Sequence, residues 1–313
     1  MIPKDPLQNK VTLPETEDHS IVIVTMGELR HRRFALRIQQ EFGGLVKGWY
    51  QIEKPGGASN LIEKIRSRAL SDYSAADLRR FYRDNGLRES AKRIISGGSE
   101  ALSTINELRN RRARQQKAEQ DIFKKEVESL KRYAVCSPET VEDPGSDAFL
   151  ENIRRIDPYF FLSLGGPLYG KKLIETIRGA AINQHAGRAP DYRGSDTVYW
   201  TLYHRDLTRL GATVHLMNTG ADAGPILKRA NPSLCPGDTA EACMARVVAL
   251  GTELLISCVK DIIDNKTVTV FQQIPGQGMT YTASQLDGRV LRCVARDFKN
   301  NWLDNEIERL KGF

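Results

Sequence analysis

The sequence predicts an α/β protein: a mostly parallel sheet with helices on both faces, a helical insertion and a small C-terminal appendage. Three observations predict it. Short, largely apolar runs such as Ile21–Thr25 (IVIVT) and Tyr159–Leu164 (YFFLSL) read as strands covered on both faces. Amphipathic stretches at helical spacing alternate with them, the rhythm of βαβ units. Glycine pairs and Gly-Pro steps, at Gly43-Gly44 and Gly165-Gly166-Pro167, punctuate the elements.

Residues 1–20 are polar and acidic and read as a flexible lead-in without the basic-then-apolar pattern of a signal peptide. Ile21–Thr25 opens the sheet, Glu28–Phe42 reads as a helix stopped by Gly43-Gly44, and Leu45–Ile52 as the next strand. From Leu61 to about Leu130 the chain is highly charged, lacks proline and spaces its apolar residues helically. That predicts an insertion of two to four helices, interrupted near Asn85-Gly86 and Gly97-Gly98. Tyr133–Cys136 reads as a short strand and Pro138–Ser146 as a loop. Helices are then expected over Asp147–Ile156, Leu168–Ile177 and Thr197–Leu207. Strands are expected over Tyr159–Leu164, Gly179–His185, Gly211–Met217 and Pro225–Arg229. Thr239–Ile263 is the clearest helix, with Asp238 as its expected cap. Residues 266–313, with a Gly276-Gln277-Gly278 turn and a charged last helix, read as an appendage on the 21–265 domain, whose insertion lies at about 60–132.

A chain of 313 residues with 40% hydrophobic and 27% charged residues has an ordinary globular composition, read as cytoplasmic. No apolar run approaches the roughly 20 residues that cross a bilayer, so no membrane contact is expected. The five cysteines are scattered without a C-x-x-C pair, which points to neither a disulfide framework nor a zinc site, and most are read as packing residues. The net charge of +7 is local: residues 60–132 hold 18 Lys and Arg against 11 Asp and Glu, and 18 − 11 is the whole excess. Within that segment Arg109–Arg114 reads as a solvated helix face or as a nucleotide or polyanion contact.

Chemistry is written at Ile182–His185 (INQH). Residues two apart in a strand share a face, so Asn183 and His185 project together at the C-terminal edge of a strand, where α/β folds place ligands. The loop Ala186–Gly194 follows, and further on Asp222 stands in the glycine-rich NTGADAGPIL.

In this order these pieces resemble the folate-dependent formyltransferase family. The resemblance rests on INQH, on Pro190-Asp191-Tyr192-Arg193-Gly194, on Gly211–His215 (GATVH) and on Asp222 in DAGPIL, and runs over roughly residues 147–263. Amino-sugar N-formyltransferases and the catalytic domain of methionyl-tRNA formyltransferase are the members it most resembles. It implies a Rossmann-like sheet, 10-formyltetrahydrofolate as formyl donor, an amine as acceptor and no metal. It also implies roles: Asn183 and imidazolium His185 as donors to the oxyanion, with Asp222 holding His185 charged and, through a water, relaying the amine proton to the departing folate nitrogen. The pterin would lie near Gly165, Gly166, Pro167 and Leu168 and near Thr219, Gly220 and Ala221, although Leu168 and Tyr169 read equally as packing. His31, Arg32, Arg33, Tyr192 and Arg193 are candidates to touch the acceptor, against a solvated first helical turn for 31–33 and a simple turn for 192–194. The acceptor is read as a small amine, a nucleotide-linked amino sugar or a specialised metabolite. The alternatives are charged tRNA, which calls for a β-barrel from about residue 230, and a non-catalytic RNA- or protein-binding module on the same fold.

Overall fold

A computed structural model describes residues 8–53, 87–265 and 267–311. Five parallel strands form one side of a nine-stranded sheet: β2 (Ile21–Thr25), β3 (Val46–Ile52), β4 (Pro138–Val141), β5 (Phe160–Leu164) and β6 (Ala180–His185). The other side is antiparallel and is built from β8 (Ala212–Leu216), β9 (Ile226–Ala230), β10 (Thr267–Phe271) and β1 (Gln8–Thr12), while β7 (Tyr192–Gly194) stands outside the sheet. The order across the sheet is β1-β10-β9-β8-β6-β5-β2-β3-β4. The chain works outward from β2 to β4 and then returns to β5, so a topological switch point lies between β2 and β5.

Side-chain alternation along β2 sorts the core. Ile21 and Ile23 face α1 (Leu29–Phe42) and α6 (Ala240–Asn265), meeting Phe34, Ile38, Leu255 and Val259. Val22 and Val24 face α3 (Asp147–Ile156) and α4 (Lys171–Thr176), meeting Phe149, Ile153 and Leu173. Helix α6 is long and apolar enough to cross a bilayer by length and composition, but Val248, Leu255, Val259 and Ile262 are buried on the sheet, which accounts for that composition. Its N-terminal cap is Thr239, whose hydroxyl accepts from Ala242 N–H, and not Asp238, whose carboxylate is taken by Arg246.

The insertion differs from expectation. Residues 54–86, which include the expected interruption at Asn85-Gly86, lie outside the described residues. Beyond them α2 (Leu87–Leu130) is one 44-residue helix, about 66 Å long at 1.5 Å per residue, and it runs through Gly97-Gly98 without a break. Two glycines cost a helix only about 1 kcal/mol each, and docking along α2 outweighs that. Phe123, Val127 and Leu130 bury against Leu36 of α1 and Ala245 of α6.

Three further expectations are corrected. Tyr133–Cys136 is not a strand: residues 131–133 form a 3-10 turn, and β4 lies at Pro138–Val141 instead, an exposed edge whose first position tolerates proline. Residues 8–12 are ordered as β1, a polar edge strand in which only Val11 is partly covered, so hydrophobicity gives no sign of it. The C-terminal residues are no appendage. β10 completes the main sheet, and β11 (Met279–Tyr281) pairs with β7. Helices α7 (Gly288–Lys299) and α8 (Trp302–Lys311) share a core with α5 (Thr197–Tyr203) through Val198, Leu291, Val294 and Ile307. Of the five cysteines, Cys243 and Cys258 are buried, Cys136 and Cys293 half-buried and Cys235 exposed.

Phe123 is 1% exposed, so Phe123→Ala should lower unfolding free energy by about 3–5 kcal/mol in urea titration. A loss below about 1 kcal/mol would mean that α2 is not integral to the core.

Candidate active site

Strand β6 carries Asn183 and His185 to its C-terminal edge on one face. Between them Gln184 points the other way, fully buried, and its amide donates to Val248 O at 2.7 Å, pinning the strand to α6. Strand β8 runs antiparallel beside β6 and sets His215 directly opposite Asn183. The turn after β8 then delivers Asp222 between them. Its Oδ1 lies 3.2 Å from Asn183 Nδ2 and 3.2 Å from His215 Nε2, while Oδ2 lies 3.2 Å from His185 Nδ1 and accepts Gly194 N–H at 2.8 Å. The three expected residues, Asn183, His185 and Asp222, therefore meet. His215 is a fourth member whose strand was read correctly and whose place was not. Only the antiparallel reversal of β8, invisible to periodicity, puts it there.

Burial opposes ionisation of Asp222, but His185, His215 and the Gly194 N–H outweigh it and hold the carboxyl far below the usual carboxylate range. His185 goes the other way from expectation: burial pulls its pKa below the ordinary value, although Asp222 and the Tyr192 carbonyl pull it up. Its Nε2 faces Tyr192 O at 3.0 Å and its Nδ1 faces Asp222, and both partners can only accept. A neutral ring has one N–H for two acceptors, so the site has room for one more proton.

The loop after β6 is held by the C-terminal segment. Gly194, at φ +85°, brings its backbone so close to β11 that a Cβ there would meet Tyr281 O at 2.1 Å. Ser195 N–H donates to the same carbonyl, and Tyr281 stacks on Trp200 at 4.5 Å between centroids. Tyr192 serves the site through its carbonyl, since its ring is packed in the core, and Arg193 donates to Gln277 O at 3.1 Å. From the other end, Arg111 of α2 pairs with Asp196 at 2.7 Å and lies over Tyr199, while Arg114 pairs with Glu241 at 2.8 Å. The basic run Arg109–Arg114 is thus not a freely solvated face.

Among the other candidates, Gly165 and Gly166 have φ of +65° and +110° and turn the chain after β5. Leu168 is 66% exposed, whereas Tyr169 is buried with its hydroxyl 2.9 Å from Ser163 Oγ, so only Tyr169 is packing. Thr219 and Gly220 are exposed and Ala221 is half-buried, all in the turn that carries Asp222. A cavity of about 370 Å³ opens at the switch point, between Met26, Ile52, Asp143, Gly166, Leu168 and Tyr169. Among the described residues its lining includes Glu142 and Asp143 but no Lys or Arg, and it lies toward β2 from Asn183 rather than over the Asp222 cluster. Arg32 is exposed, and Arg33 is withdrawn from the crevice, its guanidinium 2.8 Å from Glu126 and 3.4 Å from Glu253.

His31 is buried under Gly165, receiving Met26 N–H at Nδ1 (3.4 Å), with Nε2 3.4 Å from Glu28. Burial, then Arg30, lowers its pKa to about 3, against the pull of Glu28. A lowered histidine pKa means that the unfolded chain binds the extra proton first. The stability it confers is complete above pH 6.5 and is lost as pH falls from 6.5 toward 3. At pH 5 the loss amounts to roughly 2 kcal/mol, and His31→Gln should flatten that part of the stability–pH curve in urea titrations. An unchanged slope would show that His31 is not buried neutral.

The sheet thus presents an amide, imidazoles and a largely buried carboxylate together at one strand end, where α/β folds place ligands. The model of the formyl transferase family matches residues 94–259, just over half of the chain, and the protein belongs to that family. It is 27% identical to the methionyl-tRNA formyltransferase of Thermodesulfovibrio yellowstonii over 205 residues, 64% of each protein. It is 32% identical to that of Syntrophus aciditrophicus over 127 residues, 40% of this chain and 39% of that one. The chain thus spans less than two thirds of the length of these relatives. Among solved structures it is similar to a sugar N-formyltransferase from Shewanella, at 14% identity over 85% of this chain and 78% of the other, with a TM-score of 0.46.

Proposed function

We propose that the protein moves a formyl group from 10-formyltetrahydrofolate to an amine. The observation that carries this is the cluster of Asn183, His185 and Asp222, with room for one more proton at His185. When an amine adds to the formyl carbon, a C–N bond forms, the carbonyl oxygen becomes an oxyanion and the nitrogen must shed a proton. His185, neutral at rest, takes that proton. Asp222 stabilises the imidazolium through Nδ1, and Nε2–H exchanges the Tyr192 carbonyl for the oxyanion, to which the Asn183 amide also donates. Collapse breaks the bond to the folate nitrogen, and the same proton leaves with it. The turns Gly165–Leu168 and Thr219–Ala221 flank the cluster and are the walls we assign to the pterin.

For the acceptor we favour a small amine, a nucleotide-linked amino sugar or a related metabolite. Two features support it over charged tRNA. After Asn265 the described residues add β10 to the main sheet, β11 to β7 and two helices to the core, not a barrel. Arg111 and Arg114 of the basic insertion are already paired with Asp196 and Glu241. The curated relatives favour initiator methionyl-tRNA as the second reading. Survival of RNA binding without folate turnover would instead return the non-catalytic module.

Purified protein given 10-formyltetrahydrofolate and a panel of nucleotide-linked amino sugars, initiator methionyl-tRNA and amino acids should release tetrahydrofolate and add one formyl mass to one acceptor. Asn183→Ala, His185→Ala and Asp222→Ala should each cut kcat by about 100- to 1,000-fold. Near-normal turnover in any of them removes the role given to that residue. Because the His185 pKa lies below its ordinary value, kcat/KM should hold steady down through pH 6.5 and fall only below it, as the vacancy for the proton fills. Activity that rises as pH drops through that range would contradict a neutral resting His185.

A further inference from the structure

We propose that Gln273, in the segment between β10 and β11, is a positioning residue that holds Asp222 against His185, an inference that rests on the catalytic role given to Asp222 above. Asp222 has φ of +48°, in the left-handed region that costs an L-residue roughly 1–2 kcal/mol. Its carboxylate is spent on Asn183, His185, His215 and Gly194, so the side chain does not brace its own backbone. The brace comes from outside. Gln273 Nε2 donates to Asp222 O and to Gly224 O, both at 2.7 Å. The two carbonyls lie on either side of Ala223, so one planar amide spans the turn and fixes its pitch. Both partners are acceptors, which settles the amide's orientation: turned over, Oε1 would face two oxygens. In the observed orientation Oε1 is buried without a hydrogen-bond partner, a cost that the two bonds on the other side offset.

The opposite side of the turn is closed as well. A Cβ on Gly224 would come within 1.8 Å of Leu216 O, and Leu216 N–H donates to Pro225 O at 2.9 Å, so the turn cannot slide toward β8. Wedged between Leu216 and Gln273, Asp222 keeps its left-handed conformation and its 3.2 Å approach to His185 Nδ1. Without the amide, two carbonyls lose their donor and Asp222 can relax to the right-handed region, which swings its carboxylate off the imidazole. Gln273 makes none of the cluster's side-chain contacts and acts through the backbone of Asp222.

The test compares Gln273→Ala, the near-isosteric Gln273→Glu and Asp222→Asn with the wild type. Turnover is read as tetrahydrofolate release from 10-formyltetrahydrofolate with a dTDP-linked amino sugar or initiator methionyl-tRNA, whichever the wild type formylates. Both Gln273 variants should lose about 10- to 100-fold in kcat at neutral pH, the scale of a misplacement of about 1 Å, with KM for the acceptor little changed. In nitrogen-resolved NMR titration, His185 should also protonate at lower pH than in the wild type, because it loses Asp222 while His215 and Arg193, the other ionisable groups that face it, stay in place. A merely structural role for Gln273 would not move that titration. If Gln273→Ala does not fold, Gln273→Glu gives the same reading. Wild-type kcat and an unmoved His185 titration in a folded Gln273 variant, beside an inactive Asp222→Asn, overturn the positioning role and leave the catalytic one standing. An active Asp222→Asn overturns the catalytic reading itself.

Discussion

A carboxylate taken out of water has to be surrounded by donors, and in this protein that requirement organises the chain. Asp222 draws an amide and an imidazole from β6, a second imidazole from β8 and a backbone N–H from β7. Each of those elements needs its own support to stay in place. β6 is tied to α6 through Gln184, β7 leans on β11, and the Asp222 turn is wedged against Leu216. An ion buried this way is costly to leave half satisfied, so the supports behave as one unit rather than as independent contacts. Donors keep Asp222 ionised against its burial, whereas burial outweighs Asp222 in holding the His185 pKa down, which gives the cluster its chemical direction.

The long helix α2 is part of that support and not an ornament on it. Its C-terminal half is sealed by Phe123, Val127 and Leu130, and its charged residues reach inward: Glu119 to Arg30, Arg111 to Asp196, Arg114 to Glu241. Asp196 and Glu241 sit at the starts of α5 and α6, so these arginines satisfy acids near helix N-termini that are already favourably placed. The 60–132 segment that supplies the whole positive excess of the sequence thus spends part of it on the protein's own acids.

How much of this was legible depends on where the information lay. The buried parallel strands and α6 announce themselves by composition, and the juxtaposition of Asn183 with His185 follows from strand alternation alone. Exposed strands do not: β1 and β4 bury too little to leave a pattern, and their pairing is settled by backbone hydrogen bonds with distant partners. His215 and Gln273 were hidden for the same reason. Each becomes meaningful only when the sheet turns antiparallel after β6 and the C-terminal segment returns to it. The charged run at Arg109–Arg114 looked solvated because its acidic partners lie some 85 and 127 positions away. The lowered pKa of His185 is of another kind, since burial is a property of the finished fold and outweighs the neighbour that the sequence did reveal.

The pairing of Thr12 with Thr267 has a consequence in time. On a ribosome the residues of β1 emerge long before their neighbour in the sheet is synthesised, so that edge of the sheet stays open in the interval. Contacts this distant in sequence close slowly and leave unpaired strand edges exposed meanwhile. The strand that closes the edge is followed directly by Gln273 and β11, which brace the Asp222 turn and the loop after β6. A nascent chain therefore carries its chemical groups long before it carries their geometry, and the protein becomes competent only when the sheet is shut.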